Sequence, residues 1–244
     1  MIQITYGDDF QKHSKYRRES LGGKTLDWEN KPPLYKKYPS ELERFELSKP
    51  QPSGGLPFFS VLQERRSERN FSGAVISEKT FSQILWAVQG ISLANEYHQF
   101  RTAPSAGGLF PIETYCVINQ VEGFEPGIYH YQVPYHSLVL IRSGSFGTEL
   151  ARAALSQKMV RDSAFNLVWS AMIERSKWKY EQRAYRYIYL DAGHIGQNAA
   201  LAAVACGLGS CQIGAFFDEE INAIIDVDGS TETVVYMTAI GVVS

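Results

Sequence analysis

Apolar side chains recur at i, i+3, i+4 and i+7 through Phe81, Ile84, Leu85 and Val88. That spacing predicts one face of a helix, with Ser77 placed to cap it and Gly90 to end it. β-branched and aromatic runs predict strands over 113–119 and 165–172, the second apolar enough to be buried. Segments 127–132 and 137–141 read as a hairpin pair around Pro134. From 190 to 208, Ala, Gly and Cys occupy nearly every side, which predicts a tightly packed helix buried all round. Residues 211–217 read as a loop or short strand, and Asp218 as the cap of a helix carrying Ile221, Ile224 and Ile225. The last strand is expected over 233–240, stopping at Gly241. Strands and helices interleave without a regular βαβ repeat, so the fold class is α+β rather than a doubly wound parallel sheet.

Residues 1–57 lack this periodicity. They are polar and punctuated by Pro32, Pro33, Pro39, Pro50, Pro52 and Pro57. They read as an extended arm lying over a globular body that occupies 58–244. A net charge of -2 argues against a nucleic-acid partner. No basic segment followed by an apolar stretch opens the chain, and no run of about 18 apolar residues occurs, so neither a secretory signal nor a membrane span is expected. Cys116, Cys206 and Cys211 are an odd number without metal-type spacing, read as small buried hydrophobes in a reducing, cytoplasmic setting. The five histidines include no HExxH spacing, so no metal site is expected.

The chemistry concentrates in two segments. Arg65-Arg66-Ser67-Glu68-Arg69 places three arginines and a hydroxyl within five residues, a set that suits a dianionic phosphate. Alone, such a run is more often a solvated face than a ligand site. Further on, Pro104, Ser105, Ala106, Gly107 and Gly108 form a stretch of small residues that lets backbone approach something flat. Together the two point to a planar, phosphate-bearing cofactor. A dinucleotide fold is set aside, because Gly207-Leu208-Gly209 lacks a third glycine and ends a helix instead of opening one.

Five segments occur in a telling order: RRSxR at 65–69, PSAGGLFPIE at 104–113, the run 179–187, Asp191-Ala192-Gly193-His194-Ile195-Gly196-Gln197-Asn198, and the turn from Gly207 to Phe216. They resemble the nitroreductase superfamily, and within it the SagB-type dehydrogenase branch. His13-Ser14-Lys15-Tyr16, Leu26-Asp27-Trp28 and Tyr35-Lys36-Lys37-Tyr38-Pro39 are similar to the lead-in of that branch, so the resemblance spans about the whole chain.

The resemblance implies a nitroreductase-like α+β fold, with a mainly antiparallel central sheet flanked by helices. It implies an FMN enzyme built as an intertwined homodimer, acting by ping-pong hydride transfer through flavin N5 with NAD(P)H as a possible donor. Arg65, Arg66, Ser67 and Arg69 would hold the phosphate and ribityl chain. Pro104, Ser105, Ala106, Gly107 and Gly108 would reach the flavin from the partner subunit. The backbone of Ile213, Gly214 and Ala215 would lie near N5. In azoline-oxidising members a Lys-Tyr pair is implicated in proton handling, which here falls on Lys179 and Tyr180. A second reading of the pair stays open: a surface helix turn with Lys179 exposed and Tyr180 packed.

Trp178, Tyr180, Tyr185, Tyr187 and Tyr189 are read as core and dimer interface, and His194 as a satisfied core histidine. Gln197 and Asn198 are read as satisfying buried backbone in a dimer core. One departure is expected to loosen FMN: the chain stops at Gly241-Val242-Val243-Ser244, without the basic arm many nitroreductases carry there. The function implied first is NAD(P)H-linked reduction of nitro or quinone-type small molecules. The alternatives are a dehydrogenase acting on azoline rings of a modified peptide, and a flavin-binding subunit without turnover.

Overall fold

The computed structural model describes residues 5–20, 23, 25–96 and 98–244. Residues 1–4, on which part of the signal-peptide reading rests, lie outside them. The amino-terminal segment holds more regular structure than its composition predicts. It contains a helix, α1 (Tyr6–His13), and a short strand, β1 (Arg44–Glu46). After it come α2 (Phe58–Glu64), α3 (Glu78–Gln89), a small hairpin of β2 (Ile91–Ala94) and β3 (Gln99–Arg101), then β4 (Ile112–Ile118), β5 (Gly127–Gln132) and β6 (Ser137–Ser143). The chain continues through α4 (Gly147–Ala153), α5 (Lys158–Asp162), β7 (Phe165–Met172), α6 (Ile173–Tyr180), α7 (Ala184–Ala205), β8 (Gly209–Ile213), α8 (Asp218–Ile224) and β9 (Glu232–Gly241).

Seven strands form one sheet in the order β1-β6-β5-β4-β7-β9-β8. Every pairing within it is antiparallel. All seven residues of β4 are buried because helices cover both faces of the sheet, so the usual strand alternation of apolar and polar positions is suppressed. Ile112, Cys116 and Ile118 pack into a cluster with Phe81, Ile84, Leu85 and Val88 of α3 and Ile188, Ile195 and Ala199 of α7. Tyr115 and Val117 point the other way, into a cluster with Leu150 of α4, Met159 of α5 and Ile221 and Ile224 of α8. The α+β sheet flanked by helices is therefore present as expected.

The boundaries follow local chemistry. Ser77 caps α3 by accepting a hydrogen bond from the Thr80 N–H. Between β5 and β6 the chain turns through a 3-10 turn over 133–135, and His136 takes φ +46. At α8 the expected cap is corrected by one residue: Phe217 holds the cap position without a side-chain bond, and Asp218 is the first helical residue. Asp218, Glu219 and Glu220 put three carboxylates in that first turn, where the helix dipole favours them. The expected helix over 190–208 begins earlier, at Ala184, and is not buried all round in the single chain. Leu190, Gly193, His194 and Gln197 face outwards, with Leu190 58% exposed. Its small residues do pack on one side: a Cβ on Gly196 would lie 2.8 Å from the Tyr236 ring.

The amino-terminal segment docks chiefly through its backbone. Arg183 donates to the carbonyl of Ser14 at 2.7 Å, Trp178 to that of Asp27 at 2.6 Å, and Arg175 to that of Pro33 at 2.9 Å. Half-buried Lys36 adds an ion pair with the buried Glu232 at 2.7 Å.

A fully buried ionic group lies where β4 meets α6. Glu113 binds His130 at 3.0 Å and Arg175 at 2.6 Å. Burial by itself raises the Glu113 carboxyl, but the hydrogen bond and charge of His130, and then those of Arg175, more than offset this and hold it well below the usual carboxylate range. A depressed carboxylate stabilises the fold above its unfolded-state value of about 4.3 and loses that contribution as pH falls further. Thermal melts between pH 6 and pH 3 should therefore fall more steeply for the parent than for Glu113→Gln. Equal slopes would mean that Glu113 does not carry the acid sensitivity.

Candidate active site

The basic segment follows α2 and runs along the free edge of β8. Ser67 bridges Ser210, and the Glu68 N–H donates to the Ser210 carbonyl at 2.9 Å. Arg66 turns back onto the carbonyls of Gln63 and Arg65 at 2.8 and 2.7 Å, and Arg69 onto that of Ser67 at 3.2 Å. Among the described residues no carboxylate pairs with Arg65, Arg66 or Arg69. Three cations without counter-charge fit a phosphate. From Ser210, β8 runs to Ile213, which is buried, and on to Gly214 and Ala215, which are exposed. Four residues of strand separate Ser210 from Gly214 by roughly 13 Å. A Cβ on Gly214 would meet only the edge of Tyr236, at 3.9 Å, so a flat ring has access to that backbone.

The small-residue loop lies between β3 and β4, and three elements hold its shape. Asp191 of α7 accepts from the Ser105 hydroxyl at 2.6 Å and from the Ala106 N–H at 3.1 Å. Ser105 Oγ accepts from the Phe110 N–H at 2.9 Å, and Arg175 of α6 donates to the Phe110 carbonyl at 3.1 Å. The Met172 N–H donates to the Pro111 carbonyl at 2.8 Å, which starts α6 beside the end of the loop. Gly107 and Gly108 take φ +64 and +65, the left-handed region that side chains disfavour.

The end of α6 then meets the middle of the loop. A Cβ built on Gly107 would lie 2.5 Å from Tyr180 Oη and 3.1 Å from Lys179 Nζ. Both residues are half-buried, so Lys179 is not the exposed lysine of the surface-turn reading, and its Nζ sits 5.4 Å from the Tyr180 ring centroid. The Tyr187 ring lies 4.6 Å from that of Tyr180, and Arg183 donates to the Tyr187 hydroxyl at 2.9 Å. The structure thus brings Lys179 and Tyr180 to the loop at 104–108, and separately brings the segment 65–69 to β8.

Gly107→Ala should cost about 1–2 kcal/mol of stability for the left-handed backbone. It should also push Tyr180 and Lys179 off the loop. Urea unfolding would read the first effect, and turnover matching that of Tyr180→Phe the second.

One expectation is corrected here: in the single chain His194 is exposed rather than core. Gln197 is exposed in the single chain too, and Asn198 satisfies backbone, donating to the Ala87 carbonyl at 3.0 Å. Part of the aromatic cluster at 178–189 is where the amino-terminal segment docks, Trp178 packing on Trp28 at 5.2 Å and Tyr185 on Phe10 at 6.3 Å, and Tyr189 is 58% exposed in the single chain. Arg175 had no sequence signal, because its partners Pro33, Phe110 and Glu113 are distant in the chain. Asp191 had only its place in a matched segment.

An antiparallel sheet with a basic segment along one edge and a glycine loop under a Lys-Tyr pair defines a class that comparison with known proteins makes specific. The nitroreductase family model matches residues 62–242, and the chain belongs to that family, and with it to the oxidoreductases. MJ1384 of Methanocaldococcus jannaschii, a nitroreductase by description, is 37% identical over 167 residues, 68% of this chain and 83% of its own. The trifolitoxin-processing protein TfxB of Rhizobium leguminosarum bv. trifolii is 30% identical over 141 residues, 56% of this chain and 38% of its own. The microcin B17-processing protein McbC of Escherichia coli is 29% identical over 138 residues, covering 54% and 50%. Among solved structures, a nitroreductase-like protein of Anabaena variabilis superimposes with a TM-score of 0.78 at 27% identity, over 96% of this chain and 45% of that one. The chain thus spans half or less of TfxB, McbC and the Anabaena protein. Among the described residues no helix is long and apolar enough to cross a membrane.

Proposed function

We propose that the chain is an FMN-dependent oxidoreductase of the SagB type, working as a homodimer, and that it dehydrogenates an azoline-type ring of a modified peptide. The observation that carries this reading is the convergence of Lys179 Nζ and Tyr180 Oη on Gly107 in the small-residue loop. When bound, FMN supplies hydride exchange at N5. Arg65, Arg66, Ser67 and Arg69 hold its phosphate, and the open backbone at Gly214 and Ala215 meets the ring. Dehydrogenating a C–N or C–C bond also removes a proton, which needs a base beside the hydride acceptor. Lys179 is that base in this reading, with Tyr180 placed to relay or steady the proton. TfxB and McbC are named as processing proteins of peptide products, which supports a peptide substrate.

Exposed apolar side chains support the dimer: Leu56, Phe58, Phe59 and Leu62 at α2, and Tyr189 and Leu190 on α7. Beside α2 lies a groove of about 670 Å³ floored by Leu201, Ala202 and Ala205. A second reading, NAD(P)H-fed reduction of nitro groups or quinones, draws support from MJ1384.

Flavin released by heat should run as FMN on chromatography, and light scattering should give a dimer. The flavin-loaded protein should oxidise a synthetic thiazoline-containing peptide. Reduction of nitrofurazone or menadione with NADPH, and none of the peptide oxidation, would favour the second reading. Purified protein that takes up no flavin on reconstitution would leave neither.

A further inference from the structure

The segment from Asp191 to Asn198 marks the family resemblance, yet neither the phosphate clamp nor the Lys-Tyr pair uses Asp191. Its carboxylate is 3% exposed and aimed from the inner side of α7 at the small-residue loop. Oδ2 accepts from the Ser105 hydroxyl at 2.6 Å and Oδ1 from the Ala106 N–H at 3.1 Å. Ser105 Oγ passes the restraint on by accepting from the Phe110 N–H at 2.9 Å. The carboxylate therefore ties the start of the segment 105–110 to a long helix, and Ser105 links that start to its end. Between those ends Gly107 and Gly108 hold left-handed backbone, closed by the Gly108 N–H donating to the carbonyl of the same Ser105 at 3.0 Å. Hydrogen bonds to a charged acceptor are about twice as strong as neutral ones, and burial keeps water from competing. Burial raises the Asp191 carboxyl, while Ser105, Ala106 and then His194, three residues along α7, lower it.

We infer that Asp191 is a positioning residue for FMN: by gripping Ser105 and Ala106 it holds the loop at 104–108 in the shape that meets the cofactor. It touches no reacting atom. The inference rests on the reading that this loop lines the flavin.

The test uses the full-length dimer, titrating FMN by fluorescence quenching and recording the bound flavin's absorption bands alongside thermal melts. Asp191→Asn and Ser105→Ala should each weaken FMN at least about tenfold and shift the bands. The double variant should be no weaker than the poorer single, because both substitutions break one shared contact. Arg65→Ala combined with Asp191→Asn should instead be additive, since those groups hold the cofactor separately. Gly108→Val, which perturbs the loop without touching Asp191, separates the two levels of argument. If Gly108→Val weakens FMN but Asp191→Asn lowers only the melting temperature, Asp191 is a fold tie alone and the inference is overturned while the loop reading stands. If neither variant alters FMN affinity or the bands, the loop does not line the flavin and both fall.

Discussion

Lys179→Ala and Tyr180→Phe should keep their flavin and lose oxidation of a thiazoline peptide by roughly 10²–10⁴-fold, the range expected of a missing general acid or base. The flavin is retained because neither residue belongs to the arginine segment, which lies along β8. The loss is large because both groups converge on one point of the loop, Nζ at 3.1 Å and Oη at 2.5 Å from the position of a Gly107 Cβ. Removing either breaks the pair. Tyr180→Phe keeps the ring against Tyr187 and deletes only the hydroxyl, so a packing role alone would leave its turnover near the parent's. The same variants should reduce nitrofurazone with NADPH almost normally, since solvent can supply those protons. Rapid-mixing kinetics on each half-reaction separates the cases. Parent-like oxidation of the peptide by both variants would remove the proposed base.

The double variant Arg65→Ala/Arg69→Ala should lose FMN by about 10²–10⁴-fold. Each charge-assisted contact with a phosphate contributes about 1.5–3 kcal/mol, and two independent ones about 3–6 kcal/mol. The fold should survive. Arg69 is exposed, its one hydrogen bond is to the carbonyl of Ser67, and no carboxylate among the described residues is left unpaired by either change. Circular dichroism and fluorescence titration together check this. A double variant that still binds FMN within tenfold of the parent places the phosphate elsewhere.

The helix at α3 was legible because its stripe, its serine cap and its glycine stop all lie within fourteen residues, 77–90. The strands at 127–132 and 165–172 match their expected limits: turn residues flank the β-branched and aromatic run of the first at both ends, while the second starts after Asp162-Ser163 and ends where the charged Glu174 and Arg175 open a helix. Strand β1 was not legible. Three residues, Arg44 to Glu46, carry no pattern of their own and become a strand only by pairing with Ser137 to Val139. The small helices α4 and α5 were equally silent, being too short to show a period.

By itself the sequence determined which segments carry the residue types suited to a phosphate and a flat ring. Three arginines about a serine and a glycine run between prolines are local facts, because the residue types that suit a phosphate or a flat ring are already neighbours in the chain. Tertiary structure alone decided which of these segments meet. Lys179 and Tyr180 reach Gly107 because β7 feeds α6 past Pro111, and Arg175 then ties that helix to Phe110, Glu113 and Pro33. Asp191 acquires its role from facing Ser105, 86 residues away in the chain. Such contacts depend on the packing of α6 and α7 against the sheet, which no periodicity records, because a buried arginine or aspartate is selected by partners that only the folded backbone brings within hydrogen-bond reach.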